Sequence, residues 1–172
     1  MANTFEAIAT VTVGSGGAAN IEFTSIPATY TDLVIYTSLR DSASTTSTNY
    51  GIRLNGLSTT IYSRKYVYGT GSSAGSATGS GEDQMFIGYS NSNTATANTF
   101  GNGSIYIPNY TSSASKSVSS DTVAETNGTT ISMALAAGLA ATSAAVTSVT
   151  VLPWTAPFLQ YSTATLYGIK NS

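Results

Sequence analysis

The stretch YGTGSSAGSATGSGED, Tyr68–Asp83, decides how the chain is organised. It offers almost nothing to bury, yet it lies between two segments that read as β-strands, TTIYSRKYVYG (Thr59–Gly69) and DQMFIGYS (Asp83–Ser90). As a linker it would divide the chain into two domains; as a loop it would leave one. Neither flanking half carries enough strand pattern to close a sheet of its own, and an open half-sheet would leave unpaired edges and an uncovered apolar face. Residues 69–81 are therefore expected to form a flexible, solvated Gly/Ser-rich surface loop of a single domain spanning residues 1–172.

Outward from that stretch the pattern has period two. FEAIATVTV places Phe5, Ala7, Ala9, Val11 and Val13 on one face, and NIEFTSI follows after a turn at 14–18. TDLVIYTSLR is more continuously apolar and reads as a strand covered on both sides. Asn55-Gly56 suits a type I′ hairpin turn, which needs positive φ at both central positions. A second long hairpin is expected about Asn127-Gly128, and a last pair from AAVTSVTVLP and YSTATLYGIK. The alanine-rich segment 134–145 reads as strand and loop rather than helix, because Gly138 and Thr142-Ser143 interrupt it. The sum is an all-β fold, one antiparallel β-sandwich of jelly-roll-like type with roughly ten short strands.

Composition narrows the chemistry. Only 8% of the 172 residues are charged, so the surface takes its polarity from Ser and Thr hydroxyls, and the net charge is -2. The six Lys and Arg residues are dispersed, which argues against nucleic acid or an acidic membrane as partner. The longest apolar run, Met133–Ala141, is far short of the roughly 20 residues of a membrane span. The N-terminus lacks the basic and apolar regions of a signal peptide, so synthesis in the cytoplasm is expected. Cys and His are absent, which removes thiolate and imidazole nucleophile systems and most transition-metal sites.

The remaining catalytic candidates are carboxylates. Asp121 and Glu125 share a strand face, and Glu82 and Asp83 adjoin in the glycine-rich stretch. A glycosidase needs two carboxylates converging across a cleft, and nothing in these spacings requires convergence. Glu82 with Asp83 is the better candidate for calcium, a hard cation that takes oxygen ligands. The glycine-rich stretch is no phosphate loop, since it holds no Lys or Arg. No enzyme activity, metal or cofactor is assigned. Two features suit a partner. Tyr62, Arg64, Tyr66 and Tyr68 fall on one strand face, readable as a subunit contact or as a solvated face. Trp154, bracketed by Pro153 and Pro157, reads as a platform for a sugar or partner, or as a plug closing the end of the sandwich.

IEFTSIPATYTDLVIYTSLRD (Ile21–Asp41), GIRLNG (Gly51–Gly56), TSAAVTSVTVLP (Thr142–Pro153) and TLYGIK (Thr165–Lys170) together resemble small β-rich structural proteins of tailed bacteriophages, notably those of marine and freshwater bacteria including cyanobacteria. The motifs are structural, so the resemblance implies a place on the virion surface and carries no site residue with it. It implies phage structural proteins as partners, either the major capsid protein or tail components, and a homo-oligomer, with a trimer expected. Within that class the chain fits a capsid decoration, or cement, protein: it is short, reads as self-contained from Met1, and shows no stalk. The alternative is a tail-fibre, receptor-binding or carbohydrate-binding module of the tail. Contact candidates for such a role are the N-terminal segment with Phe5 and the glycine-rich stretch with Gly71 and Ser76, beside Tyr62, Arg64, Tyr66, Tyr68 and Trp154.

Overall fold

The computed structural model describes residues 4–71 and 73–170. Twelve strands account for the regular structure of these residues: β1 Phe5–Thr12, β2 Ile21–Phe23, β3 Asp32–Leu39, β4 Ser47–Leu54, β5 Tyr62–Thr70, β6 Ser73–Glu82, β7 Met85–Asn91, β8 Gly101–Ile107, β9 Lys116–Glu125, β10 Ile131–Ala140, β11 Val149–Pro153 and β12 Thr163–Ile169. They form an eight-stranded sheet, ordered β1-β12-β3-β8-β9-β10-β5-β6, and a four-stranded sheet, ordered β2-β11-β4-β7. All pairings between strands are antiparallel. The sandwich expected from the period-two pattern is the observed architecture.

The small sheet covers one face of the large one. Inward residues of the large sheet, such as Leu33, Ile35, Ile105 and Leu166, meet Ile21, Ile52, Val149 and Val151 of the small sheet in one continuous core. The chain passes between the sheets repeatedly, so strands from both halves of the sequence interleave in each.

The glycine-rich stretch is not a loop. Residues 73–82 form β6, paired with β5 from Thr70↔Ser73 to Tyr62↔Glu82, and Gly71, at φ 57°, lies in the tight turn between them. The reason is visible on the inward face, where Gly75, Ala77 and Gly79 sit beside Tyr68, Tyr66 and Arg64. The Tyr68 ring lies across Gly75, and Arg64 and Glu82 cross Gly79, so a side chain at either glycine would collide with them. Small residues are what a strand needs when its neighbour's long side chains fold over it.

Three further expectations are corrected. Asn55 and Gly56 have φ of 53° and 64°, and Leu57 N–H donates to Leu54 C=O at 3.0 Å, as in the expected turn. The flanking strands nevertheless belong to different sheets. Tyr62 fixes this crossing: its hydroxyl donates to Leu57 C=O at 2.9 Å and accepts from Leu54 N–H at 3.0 Å. β11 and β12 do not pair either, since β11 inserts between β2 and β4, and β12 between β1 and β3. Finally, β1 does not keep one face. A bulge between Ala7 and Ala9 turns Val11 and Val13 towards the core and leaves Phe5 outside.

Candidate functional site

Among the described residues, no layer covers the outer face of the eight-stranded sheet. Register carries one row of outward side chains across it, Thr10–Thr165–Tyr36–Ser104–Asp121–Leu135–Val67–Ser76. The next row is Ala7–Tyr167–Val34–Tyr106–Ser119–Ala137–Lys65–Thr78. A water-facing sheet surface is ordinarily polar. Here Phe5, Tyr36, Val67, Tyr106, Ile131, Leu135 and Leu139 are each between 37% and 51% exposed, and among the described residues only Trp154 and Tyr161 are large exposed hydrophobics elsewhere. Such concentration on one face makes it the candidate interaction surface. In the two central rows the exposed charges are Lys65 and Asp121 alone.

The face has relief. On one side Tyr167 stacks on Phe5 with ring centroids 4.7 Å apart and meets Tyr36 at 5.8 Å, which builds an aromatic ridge across β1, β12 and β3. On the other side lies a trough of about 670 Å³ with Lys65, Val67, Thr78, Ser119, Leu135 and Ala137 in its lining.

On the opposite side of β5, a second cluster joins four of the residues singled out in the sequence. The Arg64 guanidinium carbon lies 5.3 Å from the Phe86 ring centroid, 5.4 Å from Trp154 and 5.7 Å from Tyr66. Phe86 contacts Tyr66 at 4.3 Å, Tyr89 at 6.0 Å and Trp154 at 6.2 Å, and Tyr68 adjoins Tyr66 at 5.6 Å. Arg64 pairs with Glu82 through one contact of 3.0 Å, while Arg64 Nε and Nη1 and Glu82 Oε2 are buried without a hydrogen-bond partner. Burial pushes the Tyr89 hydroxyl above its ordinary pKa, with Tyr66 and Tyr68 adding to the rise. The cluster fastens the β5–β6 hairpin to β7 and to Trp154, its most exposed member.

The other candidates separate. Tyr62 has no exposed surface and is a core residue, so it cannot contact a partner. The Tyr62–Tyr68 face is an inner face, not the solvated one considered above. Phe5 stands on the aromatic ridge, Gly71 at the hairpin turn, and Ser76 on the outer face of the edge strand β6. Glu82 and Asp83, the pair considered for calcium, are each engaged by an arginine: Glu82 by Arg64, and Asp83 by Arg53 at 2.5 Å. Among the described residues no three Asp or Glu side chains gather as a metal site. Glu125 ties down the neighbouring loop, accepting from Thr96 N–H at 3.1 Å and Thr96 Oγ1 at 2.8 Å and from Asn127 N–H at 2.6 Å. These bonds, Thr96's first, hold its carboxyl below the usual range. Asp121, its supposed catalytic companion, points outward from the open face.

Phe86, Tyr89, Leu135 and Tyr167 escaped the sequence reading. Of these only Leu135 carried a signal, parity: in β10, Ile131, Met133, Leu135, Ala137 and Leu139 alternate with Ser132, Ala134, Ala136, Gly138 and Ala140, and the larger set faces outward. No family model matches this chain, and neither the curated proteins nor the solved structures give a match.

Proposed function

We propose that this chain is a structural subunit of a bacteriophage virion, displayed on the particle surface, with capsid decoration as the favoured role. One observation carries the assembly part of this reading: most of the large exposed hydrophobics stand on a single sheet face with few charges. A monomer gains nothing from such a face, whereas a subunit repeated over a shell uses it at every copy. The virion part rests on the four sequence segments from Ile21 to Lys170. The mechanism is mechanical. Interfaces of about 800 Å² per partner, each modest, add across a shell and oppose its rupture. The outer edge of β6 supplies a second contact, since an edge strand offers unpaired backbone groups to a neighbouring strand.

The test is a gold-labelled antibody against the purified protein, imaged on intact particles. Label over the head establishes decoration, label on the tail moves the protein there, and unlabelled particles refute the virion reading. A second reading, carbohydrate binding on the tail, is favoured by the open rim of the aromatic cluster, where Trp154 is 37% exposed. Binding to a glycan array that disappears in Trp154→Ala, with the fold retained, is its signature.

A further inference from the structure

We infer that the outer face of the eight-stranded sheet recognises itself: a second copy of this chain packs on it face to face, about a two-fold axis running along β8. The aromatic ridge centres on β12, two strands to one side of β8, and the trough begins at β9 and centres near β10 and β5 on the other. A two-fold along the strands exchanges those sides, so each copy's ridge enters the other's trough and both contacts form twice.

Register makes the match specific. A rotation about an axis parallel to the strands keeps each residue at its own level, so rows meet themselves. Tyr167 then falls opposite Ala137 in the second row, a large ring over the small floor of the trough. Tyr36 falls opposite Asp121 in the first row, where the phenol donates to the carboxylate. Lys65 falls opposite Ala7, next to the Phe5 and Tyr167 rings that attract a cation. Both exposed charges of these rows thus meet complementary groups. The twist is also compatible, because a regularly twisted sheet turned about its own strand direction regenerates a surface of the same twist and hand.

The area fits as well. Seven of the eight strands overlap, which at about 4.8 Å per strand and four rows about 6.8 Å apart gives roughly 800 Å² per copy, the size of a standard interface. A threefold cluster, as the phage resemblance implies, would require ridge and trough on different sides of the molecule, and here they share one face. The inference uses the same face as the virion reading but does not depend on where in a particle the protein sits.

Sedimentation equilibrium of the full chain at about 100 µM tests it first, with a mass twice the 17.6 kDa of one chain expected. Leu135→Lys and Ser119→Arg, both at exposed positions, are expected to sediment as monomers with unchanged far-ultraviolet circular dichroism. The chain has no cysteine, so single cysteines report proximity. Ser104→Cys, on the axis, is expected to crosslink to its mate with a short bismaleimide spanning sheets about 10 Å apart. Ser76→Cys, on the strand left outside the overlap, is expected not to. A monomer, a trimer, or equal crosslinking at both positions overturns the proposal. A dimer with unlabelled virions would leave it standing while removing the virion reading; labelled virions with a monomeric protein would do the reverse.

Discussion

Arg64 and Glu82 provide a test in which removing both partners of an ion pair restores what removing one destroys. Their side chains are 17% and 21% exposed, and a single 3.0 Å contact joins them. Three of their nitrogen and oxygen atoms are buried without partners. Breaking a buried pair by removing one member costs about 3 to 5 kcal/mol, because a charge is left unpaired. The residual exposure here lowers the expectation for Arg64→Met to about 2 to 3 kcal/mol. At about 2 to 4 °C per kcal/mol for a chain of this size, the melting temperature falls by about 4 to 12 °C. Arg64→Met combined with Glu82→Leu keeps the volume beneath the rings, and removes the desolvation cost together with all three unpartnered atoms. It is expected within about 1 kcal/mol of the parent, or above it. Trp154 is the only tryptophan and borders Arg64, so its fluorescence during urea unfolding reports on this cluster directly. A double variant as unstable as Arg64→Met would show that the pair is net stabilising and would refute the reasoning.

Three other outcomes are expected. Gly75→Val and Gly79→Val drive a side chain into Tyr68 and into the Arg64–Glu82 contact, lowering stability by about 1 to 3 kcal/mol in urea titrations, whereas Ser76→Val and Thr78→Val on the other face of the same strand leave it unchanged or raised. Arg40 is buried and donates to the carbonyls of Asn93, Ala95, Thr96 and Thr99 at 2.7 to 3.2 Å; Arg40→Met is expected to cost about 3 kcal/mol and Arg40→Lys less, since an ammonium keeps the charge but not the fork. Glu125 titrates below its ordinary value of 4.5 when folded, so its contribution is complete above that pH and is lost as the pH falls through the depressed folded value. The protection of amides in residues 93–99, taken relative to their intrinsic exchange rates at each pH, should therefore fall on acidification, and Glu125→Gln should flatten that dependence.

The strand pattern was legible because burial in a sandwich imposes period two, the Asn55-Gly56 turn because both residues take positive φ, and the turn before β10 because Asn127 does. Pairing was not, since the turn after Leu54 is the same whether the chain returns to its own sheet or crosses to the other; the Tyr62 hydroxyl decides between them from a distance. β6 is hidden when Gly and Ser are judged by burial alone, although Gly75, Ala77 and Gly79 alternate with Ser76, Thr78 and Ser80 as a strand's residues do. The open face was hidden by the rule that large residues point inward. Leu135 and Leu139 obey the period and reverse its sense. Arg64, Tyr66, Tyr68 and Trp154 were found by type, but Phe86, which holds them together, looks in sequence like any other apolar residue of a strand.

The insertion of the last strand between the first and third bears on how the protein is made. β3 is complete at Leu39, and its neighbour β12 begins at Thr163. At about 5 to 20 residues per second, the ribosome leaves β1 and β3 without that partner for about 6 to 25 s. β1 can join the large sheet only after β12 has been made, because β12 is its strand neighbour there. Such closure is slow, because distant segments meet only after the chain between them has been ordered. Once β12 is seated, its hydrogen bonds to β1 on one side and β3 on the other tie the first strand into the large sheet through a segment more than 150 residues away in the chain.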